Sequence, residues 1–474
     1  MKNSLVISAY NEEKTIKVKV KLAVLNKKTS IVSEKREQTV FFAVYFLLAI
    51  FRFSYLGYNY TPYLDDYVQY ILYPSINKPW KNVLAGGAGV LFTRPIAGLA
   101  DFFIWSRFDD ILGIAVFIMS VLYALSAVLF YKTFHDVNVR VTPAFLIFYT
   151  FFPINIEGTY WLSASSRIVV SMFLISLSCC LLLREKTVCF WVCNFVSMCF
   201  YEQTSILAFI IPVIICILNK KKQIVATTAS VVNMSVIAVY YLYFGKMSNN
   251  SGRIGVSLSE IPERIRKMFA ESREMWGEAQ LKLISNGFRR GLDRMLADGT
   301  VLWALVLIIL VYGFLVLLKK RRYEQVDTMP KICMGLLLAV IPMTPFLVSS
   351  GSINFRNAVP ALLGVALMLD GVIPVLFKKA TSVVLGICTV CFIVTAVSEV
   401  CDYDLTARRD MELVMRVAEN IPSGYEDGFE EVVCTCSAPV RFEQNSPFND
   451  HIISIRGSSW GITGAVKAVG TKIK

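Results

Sequence analysis

The sequence predicts an all-α integral membrane protein of about eleven transmembrane helices, with a small α/β appendage at the C-terminus. Three observations carry this reading. Hydrophobic residues make up 55% of the 474-residue chain, and its mean hydropathy is +0.56, too apolar for a soluble chain of this length. Apolar stretches of about 17–25 residues, long enough to cross ~30 Å of hydrocarbon, recur from about residue 40 to residue 400. Charged residues are only 18% of the chain, and they cluster between those stretches.

In chain order, spans are expected near 40–57, 111–131, 141–155, 167–183, 188–200, 203–218, 224–244, 300–318, 332–349, 358–377 and 380–400. Residues 1–39 form a basic N-terminal segment with no apolar core, so a cytoplasmic start and no cleavable signal peptide are expected. Lys132–Arg140, Arg184–Lys186, Lys220–Lys222, Lys319–Arg322 and Lys378–Lys379 then all fall on the same side as that segment, the cytoplasmic side by the excess of Lys and Arg. The polytopic domain is thus 40–400. Its outward loops are 58–110, 156–166, the turn at Tyr201–Glu202, 245–299 and 350–357, and the tail 401–474 is expected to be soluble and extracytoplasmic.

Three segments need separate treatment. The stretch 86–105 is apolar, but Gly86, Gly87, Gly89, Arg94 and Pro95 interrupt it. Counting it as a span would invert every later loop, so a re-entrant or surface-lying segment is expected. Loop 245–299 breaks the charge rule with Arg264, Arg266, Lys267, Arg273, Lys282, Arg289, Arg290 and Arg294. Ile265, Phe269, Trp276, Ile284 and Phe288 are interleaved at roughly helical spacing, which predicts amphipathic helices on the membrane with arginines reaching lipid phosphates. In the tail, Arg408–Asn420 reads as helix, Pro422–Gly428 as a turn and Glu431–Ser437 as a strand.

Composition also excludes. A net charge of +13 is accounted for by cytoplasmic loops rich in Lys and Arg, so no nucleic-acid partner is expected. Nine cysteines (179, 180, 189, 193, 199, 216, 333, 388 and 391) lie in apolar runs and act as small hydrophobes. Cys401, Cys434 and Cys436 lie in the tail and leave a disulfide open. The two histidines, His135 and His451, build no zinc site.

The candidate chemistry lies in the outward loops. Tyr63-Leu-Asp-Asp-Tyr67 places Asp65 and Asp66 just after the first span. Adjacent side chains diverge on any regular backbone, so a division of labour is expected, with one carboxylate as general base for an acceptor hydroxyl and the other fixing the loop or the acceptor. The bland alternative is a solvated helix cap. Arg94, in Phe92-Thr-Arg-Pro95, is costly in an apolar segment unless paired, either with a lipid-linked phosphate or with Asp65, Asp66 or Asp101. In Asn155–Arg167, Tyr160 and Trp161 suit an apolar wall for a sugar ring or isoprenoid, with an interfacial aromatic belt as the alternative, and Glu157 and Arg167 suit polar contacts. Glu202 sits in a tight turn, where it is solvated or pairs with an arginine. Arg356, four residues before Pro360, lies at the depth of a phosphate and is otherwise a snorkelling arginine.

This order of features over residues 40–400 resembles the polytopic type-C (GT-C) glycosyltransferases. The matching elements are the acidic pair Asp65-Asp66, the element Arg94-Pro95, the second outer loop with Tyr160, Trp161 and Arg167, and Arg356 before Pro360. The Tyr-Glu-Gln turn and the tail look closest to the bacterial serotype-converting glucosyltransferase branch. The resemblance implies a GT-C arrangement, a polyprenyl-phosphate sugar donor, a glycan or lipid acceptor, an outward-facing site in the cell membrane and inversion at the anomeric carbon. No nucleotide cofactor is expected, and the Asp pair leaves room for a divalent metal without requiring one. The long loop 245–299 departs from the pattern. A transporter or flippase of lipid-linked saccharides is the competing reading, and Asp370 is the chief ionisable residue within a span. Leu5–Ile16 separately resembles the opening strand of family 2 glycosyltransferases, but the rest of that domain cannot fit before residue 40.

Overall fold

The computed structural model describes residues 36–72, 79–84, 92–108, 111–219, 223–245, 258–297, 301–320, 328–347 and 353–419, together with 448, 455, 461–466 and 469. The Leu5–Ile16 segment, residues 86–91, the tail turn and strand, Cys434, Cys436 and His451 lie outside them. The described residues form helices and turns, with no strand among them. The main helices are α1 (36–51), α2 (Pro95–Phe103), α3 (Leu112–Asp136), α4 (Pro143–Phe151), α5 (Leu162–Leu183), α6 (Thr187–Met198) and α7 (Glu202–Leu218). They continue as α8 (Gln223–Gly245), α9 (Ile261–Glu274), α10 (Gln280–Ala297), α11 (Val301–Lys319), α12 (Thr328–Val340), α13 (Leu362–Phe377) and α14 (Thr381–Glu419). Six helical stretches are long and apolar enough to cross a membrane, the last of them, Phe355–Glu419, covering both α13 and α14.

Contacts sort the helix ends into two sets. At one end Lys331 pairs with Asp370, Asp370 accepts from Thr142, and Lys320 pairs with Glu37. This is the lysine-rich end. At the other, Arg94 meets Glu202, Tyr201 meets Asn357, and Trp303 bonds Ser54. The residues singled out from the sequence gather at this second end.

The nine-residue α4 shows how ionic groups set the frame. All its residues are buried, and so short a helix leaves most of its backbone groups without partners inside the helix. At its N-terminus Asp370 accepts from the backbone N–H groups of Thr142 (2.9 Å) and Phe145 (3.1 Å). At its C-terminus Arg52 donates to the Thr150 carbonyl, to Asn155 Oδ1 (2.8 Å) and to Thr159 Oγ1 (3.1 Å). Asn155 in turn bonds the carbonyls of Tyr149 and Thr150. An acid at the start and a cation at the end match the helix dipole. Arg52 and Asn155 thereby also fix the turn 153–160 that leads into the site.

Two expectations are corrected. The boundary at residue 400 falls inside α14, which runs unbroken for 39 residues; Cys401, Tyr403, Ala407 and Val414 on its far half are buried, so the helix expected over 408–420 is present, as the continuation of the last apolar helix. In agreement with the expectation that 86–105 is not a span, its described part 92–105 forms only a turn and the nine-residue α2, too short to span, with Phe103 and Ile104 exposed. Within 245–299, α9 and α10 are amphipathic as expected, but their arginines are not all turned to lipid. Arg290 bonds Glu399 (3.3 Å) and Asp402, and Arg294 bonds Asp402 (3.4 Å) on α14. Arg266, Arg273 and Arg289 remain exposed.

Candidate functional site

Between α1 and the acidic pair the chain takes a sharp course. Tyr58 and Leu64 have φ of 58° and 44°, a left-handed conformation that costs a side-chain-bearing residue ~1–2 kcal/mol. The turn at Leu64 brings the Asp66 carboxylate back onto the Tyr63 N–H (3.0 Å). Asp66 is fully buried and also accepts from the Tyr60 hydroxyl (2.6 Å) and the Ser163 N–H (2.9 Å). The Leu162 N–H donates to the Tyr60 hydroxyl oxygen (3.1 Å). Trp161, the residue before α5, supplies no side-chain cap, so Tyr60 and Asp66 cap α5 from another part of the chain. Burial pushes the Asp66 carboxyl up to about 8, against its three donors. Asp66 is therefore spent on the protein, and Asp65, half-buried beside it, is the more exposed member of the pair.

Arg94 stands just before Pro95, whose fixed φ opens α2. Its guanidinium lies over the Tyr201 ring, 4.5 Å from the centroid. Only its Nε bonds Glu202, at 3.0 and 2.9 Å to the two carboxylate oxygens. Among the described residues the two terminal nitrogens have no hydrogen-bond partner, and the side chain is 19% exposed. Asp65, Asp66 and Asp101 are not its ion-pair partners. Asp101 instead takes Arg167 at 3.1 Å, with the two side chains 0% and 7% exposed. Burial raises the Asp101 carboxyl, and Arg167 offsets this.

Arg356 follows Asn354, which caps a one-turn helix by accepting from the Asn357 N–H (3.0 Å). Its guanidinium lies 4.8 Å from the centre of the Trp161 ring. Gly158 allows the second loop to close on this turn, since a Cβ there would come 2.6 Å from Val359 Cγ2. The Tyr201 hydroxyl donates to Asn357 Oδ1, so Tyr201 carries Arg94 on its face and the Arg356 turn at its tip. Burial raises the Tyr201 phenol, opposed by Arg94 and then Arg356. Trp161 also meets Tyr63 edge to face at 6.0 Å. A continuous line of contacts thus runs from Arg94 through Tyr201 and the Arg356 turn to Trp161, Tyr63 and Asp66.

Comparison with known proteins found no matching family model, no matching curated protein and no matching solved structure.

Of the nine residues predicted for the site, Asp65, Arg94, Glu202 and Arg356 are partly exposed. The other five are buried. Tyr160 is enclosed by Phe53, Tyr60 and Tyr403, and Trp161 by Tyr63 and Arg356. The apolar wall expected of Tyr160 and Trp161 is therefore interior packing, because their loop is held inward by Arg52 and Asn155. Glu157 is likewise buried, and the polar contact of Arg167 is internal. Sequence reading missed Arg52, Tyr60, Tyr201 and Asn357. Arg52, an arginine at the end of an apolar run, carried the same signal as Arg94. Tyr60 carried none.

Proposed function

We propose that the protein is a membrane glycosyltransferase of GT-C arrangement with about eleven spans, which moves a sugar from a polyprenyl phosphate to a hydroxyl of a cell-surface glycan or lipid. The observation that carries this reading is the Arg94–Tyr201–Arg356 cluster. Arg94 is anchored through Nε with its fork of terminal nitrogens left over, and a guanidinium fork suits a phosphate. The cluster lies at the end of the bundle away from the lysines, taken here as the outer face.

The acceptor oxygen attacks the anomeric carbon, the bond from that carbon to the phosphate oxygen breaks, and the configuration inverts. Asp65 takes the acceptor proton. The departing lipid phosphate carries the developing negative charge, which Arg94 and Arg356 stabilise. Asp66, Tyr60 and Glu202 act as positioning residues. The transporter reading loses its main support in Asp370, which pairs with Lys331 at 2.8 Å and caps α4.

The test is sugar transfer from a polyprenyl-phosphate donor by purified protein in lipid. Asp65→Asn should lower the rate by about 10²–10⁴-fold with donor binding little changed. Full transfer by that variant excludes Asp65 as base. A parent protein that transfers no sugar but moves the lipid between leaflets establishes the transporter instead.

A further inference from the structure

α11 and α14 lie side by side, with Lys319 at the end of one near Val383 at the start of the other. Tyr312, Leu315, Val316 and Lys319 form one face of α11 at the i, i+3, i+4, i+7 spacing. Val383, Gly386, Ile387 and Val390 form the facing stripe of α14 with the same spacing. At Gly386 the helices touch, since a Cβ there would come 2.0 Å from Leu315 Cδ2. Around that contact the two stripes enclose a groove of 480 Å³. Tyr312, Val316, Val383 and Ile387 are exposed along it, on helices long and apolar enough to cross a membrane. From Tyr312 to Lys319 the groove runs about 10 Å at 1.5 Å per residue.

Its two ends differ in charge. One reaches Phe288 of α10. The other is marked by Lys319, with Lys378 and Lys379 in the turn that leads into α14. All three lysines are exposed, and none has an ion pair among the described residues. Lys320 next to them is engaged by Glu37 at 3.1 Å. An apolar channel about two turns long, with ammonium groups at one mouth only, matches a molecule with one anionic head and a hydrocarbon tail.

We propose that this groove is a binding site for an anionic phospholipid of the leaflet on the lysine-rich side. Its phosphate sits among Lys319, Lys378 and Lys379, and one acyl chain lies between α11 and α14. The site is at the opposite end of the bundle from the arginine cluster and does not depend on the proposed activity.

The experiment is native mass spectrometry of the full chain in non-ionic detergent. It is titrated with phosphatidylglycerol, with phosphatidylcholine of the same acyl chains, and with a polyprenyl phosphate. The parent should retain phosphatidylglycerol in preference to phosphatidylcholine. Each Lys→Gln change should weaken that preference about fivefold, and the triple variant Lys319→Gln/Lys378→Gln/Lys379→Gln should abolish it. Ile387→Trp, at an exposed position, should fill the groove and weaken retention of both phospholipids; Val316→Trp on the facing helix serves if that variant unfolds. No preference in the parent, a preference unchanged in the triple variant, or retention unchanged by the groove-filling variant would each overturn the proposal. Displacement of phosphatidylglycerol by the polyprenyl phosphate would also overturn it, because the occupant would then be the isoprenoid.

Discussion

Glu202 illustrates what a single carboxylate does here. By gripping Arg94 through Nε alone it fixes the guanidinium plane on Tyr201 and leaves the terminal nitrogens for another anion. We predict that Glu202→Gln weakens donor binding, and that the effect largely disappears in an Arg94→Ala background. A coupling on the order of 1 kcal/mol is expected for groups in direct contact, measured as donor affinity across the four proteins. Additive losses would remove Glu202 from the positioning role. Asp66 gives a test by pH. Its folded-state value, pushed to about 8, exceeds the ~3.9 of an unfolded aspartate. Between these values the folded protein holds the proton and the unfolded chain has released it, so stability falls as pH rises. The thermal midpoint of the parent, relative to Asp66→Asn, should decline from about pH 4 to about pH 8 and then level off. A flat difference would mean that the three donors keep Asp66 charged throughout.

At the scale of elements, the α10–α14 contact depends on glycine. A Cβ at Gly291 would fall 2.2 Å from the Val394 carbonyl oxygen, and one at Gly287 would fall 2.7 Å from Thr395 Cγ2. The backbones approach closely enough for Arg290 and Arg294 to reach Glu399 and Asp402. Gly277, between α9 and α10, has nothing within 4 Å of its Cβ position. Gly291→Ala should therefore cost about 1–3 kcal/mol through overpacking, while Gly277→Ala should be neutral or gain a few tenths of a kcal/mol. Thermal unfolding of the two variants checks this, and equal midpoints would contradict the close packing. Sequence reading saw the amphipathic character of both helices, because it is periodic. It did not see which acids meet the arginines, because those lie more than a hundred residues away.

At the scale of the whole molecule, each predicted span contains a helix, because long apolar runs are legible in a sequence; six helical stretches are long and apolar enough to cross a membrane, while the helix in 141–155 has only nine residues. Polar residues out of place in apolar surroundings were legible for the same reason, and Arg94, Glu202 and Arg356 do gather at one end. The pairing was not legible. Glu202 binds Arg94 across 108 positions, Asp370 caps α4 across 228, and no local pattern encodes such separations. The inward tilt of Tyr160 and Trp161 was hidden too, since it is set by Arg52 from another helix.

The Lys331–Asp370 pair also bears on how the chain enters the bilayer. A lone lysine or aspartate raises the free energy of transferring its segment from the insertion machinery to lipid by up to ~2.5–3.5 kcal/mol at mid-depth, less near an end. α12 and α13 are consecutive main helices in the chain, and Gly335 and Gly364 let them lie backbone to backbone, a Cβ on Gly364 falling 2.2 Å from the Gly335 carbonyl. The two segments can thus neutralise each other before either meets hydrocarbon alone. They should partition as one hairpin, so that a nascent chain ending before residue 362 leaves α12 waiting in the translocation channel. In a glycosylation-based insertion assay, α12 should integrate more efficiently when α13 follows it, and Asp370→Leu should remove that benefit. Equal integration of α12 with and without α13 would show that each enters by itself.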